Sequence, residues 1–273
     1  MPHQNGQARL HVATIAGRSA VLGSHARNPL RLLTPRIHGE TVWAYTSNFG
    51  GGLVAGDQTR LELRLDPGAR CFLSTQASTK IYRNPGQLPC SHELVATAGE
   101  DALLIVAPDP VQCFAESCYE QRQHFALSSS ANLVVVDWMS AGRAARGERW
   151  KFHRYRSRNE IERDGKTLLL DTLLLDARDG ALDSKFRGGR FNCLASVVLF
   201  GPRLLPHARE ILDWHAAQPI VPRASLIFAA SPRYEGVLLR FAGTSVEEVG
   251  QAIRERIGFV QDLLKDDPWC RKW

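Results

Sequence analysis

The chain has 273 residues, 44% apolar and 23% charged, with a formal net charge of +6. These proportions are typical of a globular protein and exclude a disordered chain or a disulfide-stapled miniprotein. The basic residues are dispersed. The sequence has neither a basic arm nor a basic stripe interleaved with aromatic residues, so it does not predict nucleic-acid binding. The six cysteines form no CxxC pair, and no secretion signal or membrane-length apolar run is visible. We therefore expect a cytoplasmic protein with reduced thiols, no membrane contact and a single domain over residues 1–273.

Segments with strand composition predominate in the first two thirds of the chain. Residues 41–49 are rich in β-branched and aromatic side chains, and residues 58–65 alternate strictly between polar residues and residues of one apolar face. Between these segments, glycines at 50–52 and Gly56 precede Asp57. A phosphate-binding loop needs a helix after its glycines. The alternation after Asp57 predicts a strand instead, so we predict no nucleotide site here.

A turn followed by a short apolar strand recurs along the chain. Ala69, Asp101, Ala131 and Gly165 begin the four copies, at spacings of 32, 30 and 34 residues. Regular units of this length bury a common core by stacking on one another. The spacing therefore predicts a mainly β fold of stacked, β-helix-like layered sheets. The alternative is an ordinary antiparallel sheet protein with evenly spaced turns.

Helix is predicted only towards the end of the chain. Residues 206–216 are compatible with a short helix. From Ser245 to Leu264, apolar residues recur at helical spacing on one face, and Ser245 precedes Glu248 as in a capping box. This pattern predicts one amphipathic helix, the longest of the protein. Residues 265–273, with Trp269, Cys270 and Trp273, form either a loose tail or a docking segment.

The segment from Asp137 to Trp150 is rich in glycine and arginine and follows the apolar run 133–136. We expect a buried strand, a charged loop and then a second strand. One interpretation is a solvated hairpin connection. The other is a surface loop that is held by Trp138 and Trp150 and grips a partner, because binding residues concentrate on loops.

No catalytic or metal-binding signature accompanies these elements. None of the nine histidines stands in a local signature with a nucleophile, and a GxSxG motif is absent. Cys113, Cys118 and His124 have poor spacing for a closed metal site. Carboxylates and histidines at a cleft would suffice for a transient site for a borderline metal. The residues alone therefore indicate a β domain with polar grooves, no visible catalyst and no known metal ligands.

Five motifs in order resemble the UreD (also called UreH) family of urease accessory proteins. They are NFGGGLVAGD, LSTQASTKIYR, APDPVQCF, VVDWMSAGRAARGERW and YRSRNEIERDGKTLLLDTLLL, and they run from about residue 50 to residue 175. The resemblance implies a mainly β protein that is not an enzyme. It implies a maturation factor that joins UreF and UreG on the urease apoprotein and delivers Ni²⁺, without a tightly bound cofactor. An enzyme, such as a hydrolase, that uses the same polar groove is the alternative.

The resemblance also assigns roles by motif position. It places five residues along an internal nickel passage: Asp57, Thr79, Asp137, Glu148 and Glu160. It marks eight further positions as family-motif and partner-binding residues: Gly56, Lys80, Tyr82, Arg83, Trp138, Gly142, Arg143 and Gly147. For Glu148 a second interpretation stays open, namely a structural ion pair with a neighbouring arginine.

Overall fold

A computed structural model describes residues 5–35 and 39–269. Half of the chain is strand and only three short helices are present among these residues, which confirms the mainly β prediction. The strands are β1 (Asn5–Ile15), β2 (Arg18–Arg27), β3 (Leu30–Leu33), β4 (Val42–Asn48), β5 (Gly52–Leu53), β6 (Gln58–Leu65), β7 (Arg70–Thr75), β8 (Lys80–Ile81), β9 (Cys90–Ala98), β10 (Leu103–Val106), β11 (Val111–Cys113), β12 (Cys118–Leu127), β13 (Asn132–Ser140), β14 (Arg154–Arg163), β15 (Lys166–Asp176), β16 (Cys193–Phe200), β17 (Leu226–Arg233) and β18 (Gly236–Gly243). The helices are α1 (Leu205–Ala216), α2 (Val246–Arg256) and α3 (Val260–Leu264).

The strands form two facing sheets. Sheet A has the order β15-β14-β12-β9-β6-β1-β2. The main row of sheet B has the order β17-β18-β16-β13-β10-β7-β4-β3, and the short strands β5, β8 and β11 attach beside β13. From β6 to β14 the chain passes back and forth between the sheets, and neighbouring coils pair in parallel. This is the stacked arrangement that the sequence period predicts.

Three of the four predicted units stack in register. Leu103 of β10 lies opposite Arg70 of β7 and Asn132 of β13. The fourth unit does not continue the coil, because β14 and β15 form an antiparallel hairpin within sheet A. Its two turn residues, Asp164 and Gly165, both have positive φ, at 49° and 73°. Such a turn reverses the chain within its own sheet.

The central strands of sheet B are buried on both faces, whereas sheet A is buried on one. The strand β10 is buried at every position, as expected for a strand covered on both sides. One face of sheet B packs against sheet A, and the other packs beneath the three helices. Strands of sheet A such as β12 and β14 instead alternate between buried and more accessible residues. The molecule thus has three layers, and the space between the two sheets is its interior.

The helical prediction for residues 245–264 was partly wrong. The Ser245 hydroxyl accepts a hydrogen bond from the Glu248 amide at 3.3 Å, which confirms the predicted cap. However, Ile257 leaves the helical conformation (φ −112°, ψ 15°) just before Gly258, and the segment becomes two helices, α2 and α3. The apolar face still packs on sheet B across the break. At 12 residues, α1 is longer than the 11-residue α2, so α2 is not the longest helix.

The described part of the C-terminal tail packs against the protein instead of lying loose. The Lys265 ammonium pairs with Glu40 at 3.0 Å. The Trp269 ring meets the Phe72 ring edge-on, with centroids 5.7 Å apart. Cys270 and Trp273 lie outside the described residues. None of the described helices is both long and apolar enough to span a membrane.

Candidate functional site

Neutral polar side chains interrupt the apolar inner face of sheet A. Parallel pairing places Gln121 of β12 opposite Ser157 of β14, and Gln123 opposite Asn159. All four side chains are nearly inaccessible to solvent. Buried polar groups are costly unless they are hydrogen-bonded. Here they bond to one another and to sheet B, and they form what we call the polar layer.

Asp137 of β13 joins the polar layer to sheet B. Its Oδ1 accepts a hydrogen bond from Gln121 Nε2 at 3.0 Å. Its Oδ2 accepts hydrogen bonds from Ser157 Oγ at 2.5 Å and from Asn159 Nδ2 at 2.7 Å. Gln123 Nε2 donates to Asn159 Oδ1 at 2.8 Å and extends the network by one more residue. A single carboxylate therefore organises the centre of the interior.

The Asp137 carboxylate is held by neutral donors. Burial raises its pKa above the ordinary value, the three hydrogen bonds act in the opposite direction, and the charge of Asp171 raises it further. No arginine, lysine or histidine among the described residues forms an ion pair with it. Because desolvation without a counter-charge destabilises the ionised form of a carboxylate, a cation beside this partly buried group would stabilise it.

Two cavities meet at Asp137 and Trp138, which line both of them. The larger has a volume of about 320 Å³ and lies towards β15, β17 and β18, where Asp171 and Arg240 contribute to its wall. The smaller, of about 60 Å³, lies towards β6, β7 and β9, and Thr79 is part of its lining. Asp137, which anchors the polar layer, thus borders both spaces.

His92 contributes a neutral imidazole to the smaller cavity. Its Nδ1 lies 2.8 Å from Thr59 Oγ1. Burial lowers the pKa of His92 to about 4, so the ring carries no charge at neutral pH. A neutral imidazole nitrogen is a good ligand for borderline metal ions. The cavity therefore combines an imidazole and hydroxyl groups with the nearby Asp137 carboxylate.

The five residues assigned to the internal passage do not come together. Thr79 and Asp137 line the cavities. Asp57 is buried elsewhere, where its Oδ2 accepts a hydrogen bond from the Val54 amide at 3.0 Å and closes a turn. Glu160 lies in a surface groove of sheet A, paired with Arg158 at 3.1 Å. The fifth residue, Glu148, belongs to a separate cluster.

That separate group, here called the motif cluster, consists of Gly50, Tyr82, Phe114, Arg143 and Glu148. The Tyr82 hydroxyl donates to the Gly50 carbonyl at 3.0 Å, and its ring meets Phe114 edge-on at 5.5 Å. The Arg143 guanidinium lies 4.0 Å from the centre of the Phe114 ring. Glu148 accepts two hydrogen bonds from Arg143, so the ion pair that the second interpretation requires is present. The cluster brings together residues from four of the five sequence motifs.

The remaining motif residues support or flank this cluster. Arg83 forms a bidentate ion pair with Glu116 at 2.8 and 3.0 Å, and Lys80 is exposed. Gly56 and Gly147 occupy turns with positive φ, at 78° and 74°. Gly142 has a φ of 100°, and a Cβ there would lie 2.6 Å from the Cys113 carbonyl oxygen. Only glycine fits that approach of two backbone segments.

The loop after β13 is not a hairpin, because β13 and β14 belong to different sheets. That interpretation was wrong, and the strand itself extends to Ser140. Both tryptophans are nevertheless fixed. Trp138 Nε1 donates to the Pro108 carbonyl at 2.8 Å, and the buried Trp150 donates to the Phe191 carbonyl at 2.9 Å. The gripping role of the loop stays a prediction.

No group of three metal-ligating side chains is gathered anywhere in residues 5–35 and 39–269. Cys113 and Cys118 are both buried, and burial raises the pKa of each thiol. Protonated thiols are poor metal ligands. Any metal held by the interior would therefore meet isolated oxygen and nitrogen ligands.

Five residues of the interior were not predicted from the sequence: His92, Gln121, Gln123, Ser157 and Asn159. A signal for four of them was present. In YEQRQHF and RYRSRNEI, neutral polar residues occupy positions of the same parity as Phe125 and Ile161. Residues two apart on a strand share a face. Uncharged polar residues in line with core residues therefore mark a buried polar row.

Comparison with known proteins places these features in context. The family model described as UreD urease accessory protein matches residues 4–273. A protein named urease accessory protein UreD from Sorangium cellulosum is 45% identical over 269 residues, covering 98% of this chain and 84% of that protein. One of the same name from an Anaeromyxobacter species is 42% identical, covering 97% and 89%. Urease accessory protein D of Arabidopsis thaliana is 31% identical, covering 95% and 98%.

Proposed function

We propose that this chain, which belongs to the UreD family of urease accessory proteins, is a maturation factor and not an enzyme. In this proposal it works in the cytoplasm, where it binds the urease apoprotein together with UreF and UreG. It helps to pass Ni²⁺ to the urease active site through the space between its two sheets. Nickel is then a cargo of the protein and not a resident cofactor.

The observation that supports nickel passage most directly is the position of Asp137. It is a partly buried carboxylate with neutral hydrogen-bond donors, and it lines both cavities. Ni²⁺ accepts carboxylate, imidazole and water ligands. A conduit has to release its ion, and one carboxylate with a nearby neutral imidazole binds more weakly than a closed site. In this proposal, Asp137 and His92 supply these two weak ligands.

The test compares two variants that each remove one carboxylate charge. Asp137→Asn alters the polar layer, whereas Glu160→Gln alters the outer face of sheet A. Each is combined with purified UreF, UreG, urease apoprotein and Ni²⁺, and urease activity and its nickel content are measured. We expect Asp137→Asn to slow activation about tenfold, equivalent to about 1.4 kcal/mol in a limiting barrier. Glu160→Gln should activate urease like the unaltered chain.

The same preparations separate assembly from passage. A pull-down should recover UreF, UreG and urease apoprotein with both variants, because neither residue is in the motif cluster. Normal activation of urease by the Asp137→Asn variant would contradict the passage of Ni²⁺ past this residue. Failure of the unaltered chain to bind any of the three proteins would contradict the maturation role. Hydrolytic turnover by the purified chain alone would favour the enzyme alternative.

A further inference from the structure

Sheet B extends past sheet A at one side of the molecule. Sheet A ends at β15, whereas sheet B continues through β18 to β17. On β18, Arg240 shares a face with Leu238, which belongs to the core between the sheets. Ala229 of β17 lies directly opposite Arg240 and so has the same orientation. Yet Ala229 is exposed, and 53% of the Arg240 side chain is accessible.

The inner face of β17 is therefore left uncovered. Ile227, which lies opposite Ala242 on that same face, is 48% exposed. In a two-sheet sandwich the inner faces normally cover each other at a separation of about 10 Å. Sheet A would need one more strand beside β15 to reach over β17.

The free edge of β15 has little of the usual protection. Its sequence KTLLLDTLLLD is apolar on both faces, and Leu170 and Leu174 are 52% and 48% exposed on the outer face. The central charge, Asp171, is buried and paired with Arg240 at 2.6 Å. Edge strands are normally guarded by charges or proline. β17, the edge strand of sheet B, has both in Pro232 and Arg233, whereas the middle of β15 has no proline and its one charge, Asp171, is already paired with Arg240.

We propose that an extended segment of a partner protein adds to the edge of β15, continues sheet A and covers the inner face of β17. Main-chain hydrogen bonds to a free edge are an established mode of peptide recognition. Apolar side chains of the segment would meet Ile227 and Ala229. Acidic side chains would meet the basic end of the same face, formed by Arg233 and Arg240.

Charge and shape favour this occupant over a second copy of the chain. Arg233 has no acidic partner among the described residues, and Arg240 has only Asp171. An acidic segment would complement both guanidinium groups. In an antiparallel two-fold pairing of two β15 edges, each sheet B would project past its own sheet A. Two β17 strands would then have to occupy the same space.

The experiment follows single backbone amides by hydrogen exchange. The full chain is measured alone and after addition of UreF, UreG or urease apoprotein, so the choice of probes rests on the proposed function. Alternate amides of β15 that do not bond to β14 should exchange freely in the chain alone. With the partner that supplies the strand, they should become protected together with the inner face of β17.

Paired substitutions provide the matched control. Leu170→Lys combined with Leu174→Lys places charges on the β15 edge and should weaken binding of that partner about tenfold or more. Val21→Lys combined with Leu22→Lys likewise places two lysines on β2, the opposite edge strand of sheet A, at residues that are 37% and 53% exposed. It should leave the affinity unchanged within about twofold.

Each outcome decides the proposal. Protection of β15 by one protein, with weaker binding by the lysine variant, supports it. Binding without protection of β15, and with equal affinity for both variants, overturns the edge site while leaving the maturation role intact. Absence of binding by all three proteins overturns both. Protection that rises with the concentration of the chain alone assigns the edge to a second copy and overturns the proposal.

Discussion

Asp137 and Glu148 have opposite electrostatic surroundings. Burial raises the pKa of Asp137, which has only neutral donors around it. The hydrogen bonds from Arg143 lower the pKa of Glu148, and the Ala115 amide adds to this effect. Because a pKa difference between the folded and unfolded states is a stability difference, the two carboxylates respond to pH in opposite directions.

For Asp137 the folded pKa lies above the unfolded value. Its contribution to stability is therefore complete below the unfolded pKa and is lost as pH rises through the folded pKa. Asp137→Asn removes that loss. We expect the melting temperature of the variant, relative to the unaltered chain, to increase as pH rises above about 4. A difference that stays constant or shrinks over this range, in thermal melts run beside Glu160→Gln, would contradict the burial of Asp137.

For Glu148 the sign is reversed. Its contribution is present above the unfolded pKa and is lost as pH falls through the lowered folded pKa. In Glu148→Ala the Arg143 side chain, which is 30% exposed, keeps part of its hydration. We therefore expect a cost of about 1–2 kcal/mol near neutral pH, below the 3–5 kcal/mol typical of a buried arginine left unpaired.

Urea denaturation at two pH values checks this expectation for Glu148. The difference between the Glu148→Ala variant and the unaltered chain should shrink in acid. A loss above about 3 kcal/mol would show that Arg143 is desolvated in solution. A loss that does not depend on pH would show that the carboxylate charge is not what stabilises the loop.

The C-terminal tail acts as part of the helical layer. Trp269 packs against the cluster beneath α2 and α3, and its ring meets Phe72 of β7. Lys265 and Leu264 reach back to the start of the chain, where the Leu264 carbonyl accepts a hydrogen bond from the Thr41 hydroxyl at 2.7 Å. Through Trp269, the described tail therefore stabilises the same core as the helices.

Trp269→Ala should destabilise the protein by about 2 kcal/mol, less than a fully buried tryptophan because the side chain is only partly buried. Tyr234→Ala, at an aromatic residue that is 86% exposed, is the control and should have little effect. Urea denaturation measures both. If the tail is instead a docking segment, Trp269→Ala should weaken UreF binding while leaving the unfolding midpoint unchanged.

Local elements were predictable where a single pattern determined them. The alternation in β6 and the capping residue of α2 have local causes, and both were found in the sequence. The break at Ile257 was not, because the apolar spacing continues through it into α3. The hairpin at Gly165 also escaped prediction. The spacing of its turn from the preceding turn matches the period of the coil. The chain reverses because Asp164 has a positive φ, and the spacing does not reveal that backbone conformation.

At the scale of the whole molecule, the period predicted the stacking but not the contents of the interior. RYRSRNEIER shows that Ser157 and Asn159 share one face and that Arg158 and Glu160 share the other. Both faces are polar, so hydrophobicity does not say which one points inward. The parallel partner β12 and its alignment decide this. The family motif assigned both Asp137 and Glu160 to the interior. In the structure Asp137 lines the cavities, whereas Glu160 lies in a surface groove.

The helical cover of sheet B has a consequence during synthesis. Val134 on the outer face of sheet B belongs to the same core cluster as Val249 and Ile253, which follow more than a hundred residues later. At ordinary translation rates this interval is on the order of ten seconds. Throughout that time the nascent chain presents an apolar sheet surface. We therefore expect the yield of folded protein in a cell to depend on the supply of chaperones during synthesis.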